Sequence, residues 1–244
     1  TGGQPLSQAL TKAASLDRLS TDISFQDGKK LASEDEMPGI SYYYRYFTYV
    51  ALCVMLTCAC PVLVVFYQPD VYRRCACSSM KLRSHNTQLA LGMLSLALFV
   101  LISLNLIGFI YGFGSINPSQ ALYLILNTTV FTLVSSSLAY LCGFIAKNDM
   151  AVSGLSNVIS LSFCFLGGVF VSIDMISSKV QIFSRLLPTY WYTIVNQTIF
   201  TSDTLASAQQ TQIFQGMAIQ LVFAAAVCSA ALLLSRRKQQ FITH

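Results

Sequence analysis

Residues 157–192 read NVISLSFCFLGGVFVSIDMISSKVQIFSRLLPTYWY, and the way this stretch ends decides how the whole chain is read. An apolar run of membrane-helix character reaches Gly167-Gly168 and stops at Asp174. A short amphipathic piece follows, and Leu187-Pro188-Thr189-Tyr190-Trp191-Tyr192 then carries the only tryptophan. A plain membrane span has no need of such an ending. The pattern predicts a helix that leaves the bilayer, bends at its outer edge and lies down in the interface. Pro188, Tyr190, Trp191 and Tyr192 are the expected interfacial anchors, since amphipathic aromatic rings settle at head-group depth.

Composition agrees with a bilayer as the solvent. The chain is 54% hydrophobic and 10% charged, with a mean hydropathy of +0.58, whereas soluble domains carry about 25% charged residues. Long apolar runs occupy about 46–67, 88–111, 121–146, 151–173 and 213–235. Each is long enough for a hydrocarbon core that takes roughly 20 residues to cross. Backbone groups in lipid must be satisfied internally, so the runs are expected to be helices. The predicted fold class is all-α, a polytopic membrane protein with five transmembrane helices and short re-entrant or interfacial helices after the fourth.

The net charge of +5 is informative through its placement. Arg73, Arg74, Lys81 and Arg83 follow the first span, the connection near 112–120 has no basic residue, Lys147 marks the next, and Arg236, Arg237 and Lys238 close the chain. The fourth connection holds only Lys179 and Arg185, so rich and poor connections alternate, which orients the spans by the positive-inside rule. The first and third connections and the C-terminus are expected in the cytoplasm; residues 1–44 and the second and fourth connections are expected outside. The inner set holds eight basic and two acidic residues, a net of +6, against seven (with Arg45, just ahead of the first span) and eight outside. The excess positive charge is an orientation signal, and no nucleic-acid partner is expected. The fourth span then runs outward, and at 1.5 Å per residue Gly167 lies about 25 Å along it, near the outer leaflet.

Two domains are expected: 1–44, the end of an extracytoplasmic region or linker, and 45–244, the transmembrane part. The polar segment with Gly2-Gly3, Pro5, Ser33-Glu34-Asp35-Glu36 and Pro38 has no apolar signal core. An external N-terminus with no such core implies at least one further span upstream.

Chemistry-bearing motifs are sparse. Six of the eight cysteines lie in spans, where a thiol serves as a small apolar group. Cys75 and Cys77 share the first cytoplasmic connection with His85 and read as ordinary reduced thiols. No G-x-x-x-x-G-K-[ST] phosphate loop and no H-E-x-x-H zinc motif occurs, and no span carries the carboxylate relay usual in proton-coupled carriers. No catalytic residue, metal site or cofactor is therefore expected on this chain, and it is not expected to be an enzyme.

Small and polar residues recur at helical spacing. Ser135, Ala139 and Gly143, with Thr128 and Thr132, form one stripe; Ser153, Asn157, Ser160, Cys164 and Gly168 form another. Such rows let helix backbones approach closely. A functional reading places Asn157 and Ser160, with Asn127 or Asn105, along a polar path. The connection 68–86, QPDVYRRCACSSMKLRSHN, is longer than a tight turn needs. Pro69 ends the incoming helix and Asp70 can open a short amphipathic one, or the segment is a basic loop on lipid head groups.

Together, the residues resemble a known family. Tyr42-Tyr43-Tyr44-Arg45-Tyr46, a span, a basic connection with Arg73-Arg74 and Ser78-Ser79, three more spans, and the block from Gly167-Gly168-Val169-Phe170-Val171 to Pro188-Thr189-Tyr190-Trp191-Tyr192 are similar to the membrane subunit of export-type (type 2) ABC transporters over about 40–238. The resemblance implies the C-terminal five helices of a six-helix permease that forms an export pathway with a second permease half, as a homo- or heterodimer. It also implies a separate ABC ATPase subunit that uses ATP and docks at 68–86, through Asp70, Arg73, Arg74, Lys81 and Arg83, with a smaller contact at Lys147. Asn157, Ser160, Gly167 and Gly168 are the expected path and gate residues. The expected location is the plasma membrane, in contact with its lipid. The Cys75/Cys77 pair departs from the family pattern. A non-transporting immunity or sensor protein on the same scaffold is the alternative.

Overall fold

The computed structural model describes residues 39–68, 71, 74, 82–114, 116–146, 148–175, 177–201 and 207–243, with the side chains of 82–86, 174, 178 and 236–243 excepted. All lie within one compact unit, Met37–His244. Among them every regular element is helical. Five helices are long and apolar enough to cross a membrane: α1 (Gly39–Phe66), α2 (Leu82–Tyr111), α3 (Pro118–Ile145), α4 (Asp149–Leu166) and α7 (Ser207–Thr243). Between α4 and α7 lie a 3-10 turn (Ile173–Met175) and two short helices, α5 (Ser178–Ser184) and α6 (Pro188–Thr201). The all-α class and the short helices after the fourth span are as the sequence implies.

The bundle centres on α3. It packs most extensively on α1 and α7 and also touches α2, α6 and α4. Its stripe of small residues explains this position: Ser135 and Ala139 are fully buried, and a Cβ placed on Gly143 would stand 2.6 Å from the Leu63 Cβ of α1. At the same contact the Cys60 thiol donates to the Ala139 carbonyl at 3.2 Å. Lipid tails are as apolar as leucine, so such close backbone approach, rather than the hydrophobic effect, holds membrane helices together. The packing reading of this stripe is the one the geometry favours.

Local signals set the helix ends. At the start of α3, Pro118 occupies the first turn, where no backbone N–H is missed, and the Asn117 N–H donates to Gln120 Oε1 at 3.2 Å. The α4 start is capped by Asn148, whose Oδ1 accepts from the Ala151 N–H at 2.8 Å.

Two boundaries differ from the sequence expectation. Helix α1 begins at Gly39, ahead of the apolar run that starts near 46. Ile40, Ser41 and Tyr44 are buried there. Helix α4 stops at Leu166 instead of running to 173. Val169, Phe170 and Val171 keep the hydropathy high past that point, but the backbone has already turned.

Candidate functional site

The turn after α4 is a built helix stop. Gly168 has φ +81°, the left-handed conformation that glycine takes without penalty. The Gly167 N–H donates to the Phe163 carbonyl at 2.8 Å and the Val169 N–H to the Cys164 carbonyl at 2.9 Å, the six-residue closure of a Schellman end. Neither glycine leaves room for a side chain. A Cβ on Gly167 would lie 2.2 Å from Thr189 Oγ1, and one on Gly168 would lie 2.4 Å from Ile173 Cγ1.

Arg45 of α1 meets this turn. It is 8% exposed; its Nε donates to the Gly168 carbonyl at 2.8 Å, and its Nη2 donates to the same oxygen. A guanidinium set against the carbonyl end of α4 also complements the negative pole of that helix. From the other side, Thr189 Oγ1 donates to the Phe163 carbonyl at 2.7 Å. The end of α4 is thus clasped by α1 and by the first turn of α6.

Helix α6, though only 14 residues long, lies deep in the bundle. Tyr192 is 0% exposed, and its hydroxyl donates to the Tyr44 carbonyl at 2.7 Å. Asn196 Nδ2 donates to the Ser41 carbonyl at 3.1 Å. In return, Gln120 Nε2 of α3 donates to the Ile199 carbonyl at 3.2 Å, and Asn127 Nδ2 is 3.4 Å from the Tyr192 carbonyl. Gln220 of α7 extends the set by donating to Asn127 Oδ1 at 3.1 Å. Four helices therefore share one buried polar network around α6. Intramembrane polar groups are retained where they hold helices in register or serve function.

The expected anchor block divides in two. Pro188 and Tyr192 face inward and are buried, while Tyr190 and Trp191 are half-buried; the indole N–H donates to the Arg185 carbonyl at 2.8 Å. Just before them, Ile182, Phe183 and Leu186 are exposed.

The second stripe also divides. Ser160, Cys164 and Gly168 are buried, whereas Ser153 and Asn157 are exposed. The row lies along the edge of the buried face of α4. Asn157 has no hydrogen-bond partner among the described residues, and Ser160 Oγ is buried without one. On the neighbouring α1, Val50 and Thr57 are exposed. The end of the α1/α4 face beside the Gly168 turn is closed by rings: Phe170 contacts Tyr46, Tyr49 and Phe165 with centroids 6.0, 5.2 and 5.0 Å away.

At the opposite end, Tyr67 follows α1. Its ring is buried and lies 4.7 Å from that of Phe144. Of the expected coupling residues, Arg74 is helical and exposed. Asp70, Arg73, Lys81 and Lys147 lie outside the described residues, as do Cys75, Cys77 and the side chain of Arg83.

Sequence reasoning did not single out Arg45, Gln120, Tyr192 or Gln220 as a connected set. Arg45 carried a usable signal, because a charge within helical register of a span is rare without a partner. The glutamines and Tyr192 are ordinary residues whose convergence exists only in three dimensions.

A family model described as ABC-2 family transporter protein matches residues 7–235. No curated protein and no solved structure matches the chain. With five apolar helices, a built turn after the fourth and that match over nearly the whole length, the chain belongs to the ABC-2 transporter family, as the multi-pass, permease-type membrane component of an ABC transporter.

Proposed function

We propose that this chain is one half of an export permease whose pathway runs along the exposed α1/α4 face, completed by a second permease half. The observation that carries this reading is Asn157. Its carboxamide is exposed in the middle of a spanning helix and has no partner among the described residues. Facing hydrocarbon, an amide without hydrogen bonds costs several kcal/mol, so a polar surface or water is its reasonable neighbour. Thr57 of α1 lies on the exposed side of the adjacent helix, and Leu161 and Phe165 continue the α4 face outward. The rings of Tyr46, Tyr49, Phe165 and Phe170 form the outer gate, above a glycine turn that holds them in place. Ser160, buried behind Asn157, backs the path rather than lining it.

A separate ATPase drives the cycle from the cytoplasmic side. Its docking segment is 68–86, with Asp70, Arg73, Arg74, Lys81 and Arg83, and Lys147 supplies a smaller second contact. The basic connections support that orientation, which places the α5–α6 region outside the plasma membrane. No catalytic group or cofactor belongs to this chain; ATP is used by the partner.

Site-directed labelling tests the path. In the full-length protein with its ATPase and with its native cysteines replaced by alanine or serine, Asn157→Cys should react with a membrane-impermeant thiol reagent, unlike the cysteine-free parent. Its labelling should change when ATP is hydrolysed, and a short thiol cross-linker should join two permease halves through it. A residue 157 thiol that neither labels nor cross-links would place this face in lipid and remove the path.

A further inference from the structure

Helices α2 and α7 both pack on α3 yet make little contact with each other, which leaves an open groove between them. Its volume is about 550 Å³, within the range of small-molecule sites, roughly 300–1,000 Å³. The walls are Leu89, Met93 and Ala97 of α2 and Leu221, Ala225 and Leu232 of α7; Ser136 and Ser137 of α3 form the floor. Both floor hydroxyls are satisfied within their own helix, Ser136 to the Thr132 carbonyl at 2.7 Å and Ser137 to the Val134 carbonyl at 2.8 Å. The groove therefore offers methylene surface and demands an apolar, chain-like occupant.

One end of the groove has a different character. There Tyr67 and Tyr140 line the groove, both packed on the ring of Phe144 with centroids 4.7 and 4.9 Å away. Two rows of wall residues continue past this mouth into basic positions. On α7, the row 221, 225, 228, 232 reaches Arg236 one turn later, beside Arg237 and Lys238. On α2, the row 97, 94, 90 leads back to Arg83 two turns earlier. An apolar slot with hydroxyls and arginine positions at its mouth has the layout of a phospholipid: acyl chain in the groove, anionic head group at the end.

We propose that this groove binds one anionic phospholipid from the leaflet at the arginine-bearing end. The site is separate from the α1/α4 face and does not depend on what that face transports.

Native mass spectrometry of the full-length protein with its ATPase tests it, using phosphatidylglycerol and phosphatidylcholine as probes. Phosphatidylglycerol should be retained and phosphatidylcholine should not. Filling the groove from its exposed walls with Ala90→Phe and Ala225→Phe should abolish that retention. Arg236→Gln with Arg237→Gln should weaken it about tenfold or more, because each basic residue near a head group contributes roughly a factor of five. Arg236→Lys with Arg237→Lys should restore it, which separates charge from misfolding. Equal retention of both lipids, retention unchanged in the filled groove, or conversion of a dimer to a monomer by the phenylalanines would each overturn the proposal. The last outcome would give the groove to a second copy of the chain.

Discussion

Helices α6 and α2 hold their places in opposite ways. Helix α6 has 14 residues, too few to cross a bilayer, and is bound to its neighbours by Tyr192, Asn196, Gln120 and Asn127. Helix α2 has 30 residues and is exposed along much of its length at Leu94, Leu98, Phe99, Ile102, Leu106 and Ile110. Two polar ties to its neighbours lie in the half near Tyr111. Tyr43 donates to the Leu104 carbonyl at 2.6 Å, and Asn105 Nδ2 donates to Thr128 Oγ1 at 3.2 Å. The other half, around Leu89 and Met93, stands between two cavities of about 450 and 550 Å³. In a bilayer an apolar surface gains little by packing on another apolar surface, so length and hydropathy decide what crosses, while polar and small residues decide what is fixed. Helix α6 and the turn before it are fixed. The first half of α2, which directly follows the segment proposed to meet the ATPase, has open space on both sides.

Substitutions on each side of this contrast should behave differently. The largest effect is expected at Gly168→Val. A branched side chain at φ +81° and 2.4 Å from Ile173 combines left-handed strain with overpacking, together about 3 kcal/mol or more. The thermal unfolding midpoint of the full-length protein in detergent should fall by more than for any other change proposed here. Arg45→Met removes two charge-assisted bonds to the Gly168 carbonyl and should cost about 2 kcal/mol by the same measurement. If Arg45→Met leaves the midpoint unchanged, the clasp on α4 does not stabilise the fold. Tyr192→Phe loses one buried hydrogen bond without changing shape, a loss of about 1 kcal/mol. The smallest effect belongs to α2. Gly92 has open space where a side chain would go, so Gly92→Ala should be neutral or stabilising by up to about 1 kcal/mol through helix propensity. A marked destabilisation there would show that the α2 half is held after all.

The sequence made the spans legible because the bilayer leaves few choices: a long apolar run must be a helix. Ser135, Ala139 and Gly143 announced the α1/α3 contact for a similar reason, since only small residues permit it. What stayed hidden followed from backbone geometry and long-range convergence. Val169-Phe170-Val171 extends the hydropathy of α4 past its end, and nothing in composition says that Gly168 turns left-handed one residue earlier. The Tyr-rich segment with Arg45 lies ahead of the first apolar run, yet Arg45 and Tyr44 serve partners in the turn after α4 and on α6 that lie more than a hundred residues away. Asn157 and Ser160 belonged to one row in the sequence, and only the tilt of that row across the edge of α4 separated them.

The central claim, a permease half driven by a separate ATPase through 68–86, is tested most directly by purifying the full-length protein from its own membrane. An ATP-hydrolysing subunit should come with it in stoichiometric amount and be released by Arg73→Glu with Arg74→Glu, while membrane insertion is unchanged. Purification without any ATP-hydrolysing partner, or a partner that stays bound to the double variant, would contradict the account.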